Sequence, residues 1–238
     1  MIKQIPNTLT LLNLVCGFAA TVCALKGYNE YAAFFIIAGM VLDFSDGFAA
    51  RLLKAYSDIG KDLDSLADVV TFGVAPGAIV LNLLTAGGMN VIPAFVFASL
   101  LPAASALRLA KFNNDETQST SFRGMATPAS AFTVISVVLA SAGSDSILFD
   151  RMAGSPVAIA LLSMFLAVMM LLNVRMFSLK IAGMGWKGNE ERYIFAGLSL
   201  LLLLLFRAAA LPLIMAAYIL ISLLFPLFRG RGTSSRTA

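Results

Sequence analysis

A chain of 238 residues that is 59% hydrophobic and only 13% charged cannot be divided into soluble domains, because the polar pieces between its apolar runs are too short to cover a core. Seventeen basic residues (Lys+Arg 17) against 13 acidic ones leave a net charge of +4, which suits loops facing anionic lipid headgroups and calls for no nucleic acid. The chain has no histidine, which excludes mechanisms built on an imidazole base, nucleophile or metal ligand and leaves carboxylates for acid/base and metal chemistry.

The apolar runs are continuous and rich in Leu and Ala, which predicts an all-α, polytopic transmembrane helical bundle and argues against a β-barrel. Spans are expected near residues 7–25, 31–53, 60–84, 91–110, 128–143, 155–174, 193–206 and 209–228, about eight in all. A span needs about twenty residues at ~1.5 Å rise to cross a ~30 Å hydrocarbon core. The first run begins at Pro6 and lacks a small-residue cleavage site, so it reads as a retained span and not as a signal peptide. Cys16 and Cys23 share one face of that helix, where they pack; a single helix cannot join them. The seventh span is short, and Arg207 and Pro212 are the grounds for dividing 193–228 in two. Placing the N-terminus inside leaves only Lys26, Arg151 and Arg207 on the far side, so both termini are expected on the cytoplasmic face of a cytoplasmic-type membrane. Residues 1–228 then form one integral membrane domain and 229–238 a basic, disordered cytoplasmic tail, with Trp186 as an interfacial anchor in the loop before the seventh span.

Charge is missing between Tyr31 and Leu42 and again from Val69 to Leu107, yet four acids and an arginine interrupt this apolar background. Such groups are costly at membrane depth and read as functional. On a helix, Asp43, Asp46, Gly47, Ala50 and Arg51 share one face, and Gly60, Asp64 and Asp68 share a face of the next. Two antiparallel neighbours joined by a short loop bring four carboxylates together at the cytoplasmic end of the bundle. They would repel one another without cations between them, and hard oxygen ligands select Mg²⁺, Mn²⁺ or Ca²⁺. Gly47, Ala50 and Gly60 allow close helix packing and also leave room for a ligand. An ion-coupled transporter would spread its acids across the bilayer depth and commonly shows a repeat, whereas these acids cluster at one end of one half.

The pattern Asp43-x2-Asp46-Gly47-x2-Ala50-Arg51-x8-Gly60-x3-Asp64-x3-Asp68 resembles the signature of the CDP-alcohol phosphatidyltransferases at every fixed position and in both spacings. The resemblance implies transfer of a phosphatidyl group from CDP-diacylglycerol to an alcohol, with release of CMP. It implies that Asp43, Asp46, Asp64 and Asp68 hold two divalent cations, Mg²⁺ or Mn²⁺ with Ca²⁺ able to bind in their place, and that Asp68 is also the general base. Gly47, Arg51 and Ser57 match positions that contact the CDP part of the donor, with Ala50 and Gly60 in the same donor site. The run Pro6-Asn7-Thr8-Leu9-Thr10 resembles the segment that meets the nucleotide from the other side, through Asn7 and Thr10. A homodimer in contact with membrane lipid is implied as well. The chemistry is sound on its own terms: divalent ions can clamp a pyrophosphate for in-line attack, and a carboxylate can take the proton of an otherwise poor alcohol nucleophile.

The acceptor must be chosen elsewhere. Arg108-Leu109-Ala110-Lys111-Phe112-Asn113 and Ser121-Phe122-Arg123-Gly124-Met125-Ala126-Thr127-Pro128 resemble runs of the phosphatidylserine synthase branch, as does Pro6 to Gly17; Lys111 and Met125-Ala126 depart from its pattern. Arg108, Asn113, Phe122, Arg123 and Gly124 are the acceptor-site candidates, and Arg108 or Arg123 could pair with the carboxylate of serine. The same arginines could instead serve only the positive-inside rule. Acceptors bearing phosphate, such as glycerol phosphate or inositol phosphate, would want more than one cation. A phospholipase-D-like route to phosphatidylserine needs catalytic histidines and is closed.

Overall fold

The computed structural model describes residues 4–55, 57–114, 124–143, 146–174, 176 and 189–229. Phe122, Arg123, Trp186, the tail beyond Arg229 and several basic residues used for orientation (Lys3, Arg175, Lys180, Lys187, Arg231 and Arg236) lie outside them.

The described residues form helices joined by short turns, without strands. Helix α1 (Ile5–Leu25) takes Pro6 in its first turn, where the missing N–H costs nothing, and α2 (Asn29–Leu52) returns beside it. Helix α3 (Asp58–Val69) starts at Ser57, whose side chain accepts from the Gly60 N–H at 3.0 Å. It continues through a wide π turn, Val70–Val74, into α4 (Ala75–Ala86). Residues 60–84 were expected as one regular helix. Pro76 explains the difference, because its ring cannot donate to the Phe72 carbonyl and crowds it, so the preceding turn opens.

The chain goes on through α5 (Val91–Asn114), α6 (Thr127–Gly143), α7 (Ile147–Gly154), α8 (Pro156–Leu171), α9 (Glu190–Phe206), a 3₁₀ turn at Arg207–Ala209 and α10 (Ala210–Arg229). Helix α7 falls where the sequence reading placed only a connection. Eight residues are too few for periodicity to reveal it, and it meets α8 at 81°. Among the described residues, five helical stretches are long and apolar enough to cross a membrane, with 192–224 (α9 and α10) counted as one, or six when the bent α7–α8 pair counts as a span, fewer than the eight expected. The shortfall lies partly with α6, which at 17 residues is short for a crossing. At Arg207 the backbone turns to φ 49°, and the rings of Phe195 and Tyr218 stack edge-on at 5.8 Å. One continuous helix would hold those residues about 34 Å apart, so α9 and α10 are an antiparallel pair, as Arg207 suggested.

The core is built for close approach. Gly17 of α1 and Gly39 of α2 face Thr71 in the π turn, and an added Cβ would stand 2.3 Å from Thr71 Oγ1 at the first and 2.5 Å from Thr71 Cγ2 at the second. Only glycine lets the three backbones meet there. The α3–α4 span is the central one, 56% buried against 28% or less for the other four. Outward faces carry Phe18, Phe34, Phe44, Phe48, Ile92 and Leu204, the distribution expected where lipid is the solvent.

Candidate active site

The turn between α2 and α3 brings the two acidic faces together at one end of the bundle. One carboxylate oxygen each of Asp43, Asp64 and Asp68 lies within 4.8 Å of the others. Asp46 repels Asp43, Asp64 and Asp68, so all four acids share one electrostatic neighbourhood. Asp46 is held from α1: Thr10 Oγ1 donates to its Oδ2 at 2.6 Å and also lies 3.0 Å from the Pro6 carbonyl. Asp64 Oδ1 is buried and has no hydrogen-bond partner. Neighbouring carboxylates, one with a buried oxygen left unpaired, fit a bound divalent cation, whose charge would relieve both the repulsion and the orphaned acceptor.

Asp68 is also held from α1. Asn13 Nδ2 donates to Asp68 Oδ1 at 3.5 Å, and the Asn13 carbonyl accepts from Thr71 Oγ1 at 3.0 Å. Neither Asn13 nor Thr71 was assigned a role from the sequence. The available signal was an amide deep in an apolar helix, one turn beyond Thr10 and two beyond Asn7.

The expected donor residues sit on α1, α2 and α3, the helices that carry or flank the acids. Asn7 Oδ1 sits 3.1 Å from where a Cβ on Gly60 would be, which ties the start of α1 to the start of α3. Arg51 Nε donates back to the Gly47 carbonyl at 2.9 Å and its side chain is exposed, while Ala50 is half-buried one turn after Asp46. Ser57 caps α3 and is itself exposed.

The acceptor candidates part company. Arg108 is buried, 8% exposed, and its guanidinium interacts electrostatically with Asp68 and with Tyr218 of α10. Its Nε has no hydrogen-bond partner. Asn113 instead latches α5 to α3, donating from Nδ2 to Ser65 Oγ at 2.8 Å and accepting on its carbonyl from Lys61 Nζ at 3.1 Å. Gly124 has φ +76° and docks on the end of α8, its N–H donating to the Val174 carbonyl at 2.8 Å. A Cβ there would lie 2.6 Å from the Met170 carbonyl oxygen, so close packing and backbone conformation both require glycine.

Comparison with known proteins agrees with this geometry. The profile of the CDP-alcohol phosphatidyltransferase family matches residues 3–228. The chain is similar to the CDP-diacylglycerol–serine O-phosphatidyltransferase of Bacillus subtilis, 40% identical over 128 residues, which are 53% of this chain and 70% of that protein. It is 37% identical over 145 residues to the enzyme of the same name from Mycobacterium leprae, covering 58% of this chain and 47% of the relative. The like-named protein of Saccharomyces cerevisiae is 40% identical over 114 residues, 44% of this chain and 39% of the relative. The chain therefore spans less than half the length of the mycobacterial and yeast relatives. With the profile matched along nearly the whole chain and the acids brought together, this protein belongs to the CDP-alcohol phosphatidyltransferase family.

Proposed function

We propose that this chain transfers the phosphatidyl group of CDP-diacylglycerol to L-serine, giving phosphatidylserine and CMP. The observation that carries the reading is the convergence of Asp43, Asp64 and Asp68 within 4.8 Å beside a buried arginine, Arg108. The names of the relatives support serine as the acceptor.

Asp43, Asp46, Asp64 and Asp68 are the residues that would hold two divalent cations, Mg²⁺ or Mn²⁺, with Ca²⁺ able to occupy the same oxygens. Bound there, such ions supply charge neutralisation for the pyrophosphate and the departing CMP. Asn7, Thr10, Gly47, Ala50, Arg51, Ser57 and Gly60 bind the donor, and Thr10 also fixes Asp46. Asp68 takes the proton of the acceptor hydroxyl as its oxygen bonds to the phosphatidyl phosphorus and the bond from that phosphorus to CMP breaks. Asn13 keeps the Asp68 carboxylate turned toward the cluster. Arg108 binds the serine carboxylate, and Asn113, Phe122, Arg123 and Gly124 are the further acceptor-site candidates.

In this reading the helices make eight passes, counting α6, α8, α9 and α10 separately. The antiparallel Phe195–Tyr218 contact supports the last two. The acidic end and both termini face the cytoplasm, residues 1–228 act as one membrane domain, and two copies form a homodimer. The test is CMP release by purified protein from CDP-diacylglycerol and Mn²⁺ with serine, glycerol phosphate or inositol phosphate. Release with serine alone, abolished by EDTA, is expected. Release with a phosphorylated acceptor only would overturn the choice of serine, and release with none of the three would overturn the reaction.

A further inference from the structure

Helix α5 runs antiparallel to the α3–α4 span in a register fixed by contacts along its length. A Cβ on Gly77 would lie 3.1 Å from the Ala98 carbonyl oxygen, and one on Gly73 would lie 2.9 Å from Ser105 Cβ. Nearer the acids, Asn113 Nδ2 donates to Ser65 Oγ at 2.8 Å. Arg108 falls between the Ser105 and Asn113 contacts, which sets it level with the junction of α3 and the π turn, where Asp68 stands. Its electrostatic attraction to Asp68 agrees with that register. Ser105 lies one turn before Arg108 on α5. A long helical side chain leans back over the turn before its own, so the Arg108 guanidinium is carried toward Ser105.

Ser105 is 0% exposed and its hydroxyl has no hydrogen-bond partner, nor has Arg108 Nε one turn away. A hydroxyl inside a helix ordinarily bonds the carbonyl three or four residues earlier, as Thr10, Thr21, Ser45, Ser65 and Thr133 do in this chain. Ser105 does without that bond. An unpaired buried hydroxyl next to an unpaired guanidinium nitrogen is costly and points to a ligand that completes both. With no bond to break, the hydroxyl turns freely about χ1 to meet it.

We propose that Ser105 is a specificity-determining residue of the acceptor site, its hydroxyl donating to the carboxylate that Arg108 pairs with. This rests on the reading of the chain as a phosphatidyl transferase that acts on serine. The guanidinium sets the sign of the group bound next to it, so the hydroxyl there donates to an anion and does not accept from the ammonium. One guanidinium and one hydroxyl supply several donors but a single positive charge, which matches a monoanion. Lys61 and Lys111, toward the open end of the same helix pair, are exposed, and Lys61 Nζ is engaged with the Asn113 carbonyl. A doubly charged phosphate acceptor would therefore bury excess negative charge beside Ser105. The rise from Asp68 to Gly73, the level of Ser105, is about 7.5 Å. An amino acid crosses that span with a hydrogen bond of ~2.8 Å at each end, its hydroxyl at Asp68 and its carboxylate at Ser105.

The test is Ser105→Ala, which removes one oxygen and keeps the Cβ that packs on Gly73. Serine and serinamide are compared as acceptors in wild type and variant at saturating CDP-diacylglycerol and Mn²⁺, and Tm is measured in detergent without serine. The KM for serine should rise about tenfold or more, as expected for losing a hydrogen bond to a charged group. The KM for CDP-diacylglycerol and that for serinamide, which has no carboxylate, should stay within about twofold. The Tm should hold or rise, because the variant no longer buries an unpaired hydroxyl. An unchanged serine KM, or a parallel rise for serinamide, would overturn the role of Ser105, and a lower Tm with an unchanged KM would leave it as a packing residue. Absence of CMP release by the wild type with serine would instead overturn the underlying reaction, so the two failures are distinguishable.

Discussion

The two sides of the acidic cluster are finished differently. On the side of α1, α2 and α3, polar side chains are tied to one another, Thr10 to Asp46, Asn13 to Asp68, Thr71 to the Asn13 backbone and Ser57 to the start of α3, while the Oδ1 atoms of Asn13 and Asp64 stay unpaired beside the cluster. On the side of α5, Ser105 and Arg108 keep buried atoms without partners and make no such tie among the described hydrogen bonds. The first side is preorganised by its own hydrogen bonds, so the charges are aimed before any substrate arrives. The second is left for a ligand to complete. Stability and specificity are thus assigned to different helices, and substitutions on each side should fail in different ways.

The largest expected effect is on the preorganised side. Asp68→Asn should lower kcat by about 10²- to 10⁴-fold, the usual contribution of a general base, while CDP-diacylglycerol still binds. Single-turnover CMP release together with donor binding would measure it, and a fall of less than tenfold would remove the base role. Thr10→Val keeps the shape and deletes the donor to Asp46, so kcat/KM for CDP-diacylglycerol should drop by about tenfold or somewhat more, the KM for serine holding steady. A selective rise in the serine KM would erase the division between the sides. The smallest effect on catalysis is expected from Gly124→Ala. It should cost on the order of 1–3 kcal/mol in stability, seen as a lower Tm in detergent, because φ +76° and the Met170 carbonyl both oppose a Cβ. Its serine KM should not move, and a rise without a loss of Tm would return Gly124 to the acceptor site.

The acids were legible because their spacing is a helical spacing. Asp43 and Asp46 on one helix, with Asp64 and Asp68 on the next, need only two antiparallel neighbours to converge, and the short connection at residues 53–57 provides them. The donor residues were named by the resemblance of their motif, and periodicity alone assigns them no ligand. What escaped depends on contacts between distant segments. Asn13 has no spacing relation to Asp68 and meets it only because Gly17 and Gly39 let α1 and α2 close on Thr71. Tyr218 arrives beside Phe195 through the reversal at Arg207, and in the sequence it is one more aromatic in an apolar run. Helix α7 escaped for a different reason, being shorter than the periodicity that would announce it. The fold class needed only composition, whereas the number of crossings turns on helices close to the minimum length.

The wide turn at Val70–Val74 has a geometric consequence. A π turn accommodates one residue more than an α-helix would in the same rise, and one residue is about 100° of rotation. The face that presents Asp64 and Asp68 is therefore offset by about that angle from the face a regular helix would continue into α4. Asp64 and Asp68 turn toward α2, while Ala75, Ile79 and Leu84 turn into the interior of the bundle, each half in its own phase. The single proline at position 76 acts as a phase shifter between a charged half-helix and an apolar one, so a one-residue deletion in this turn would rotate the acids away from their partners without removing any of them.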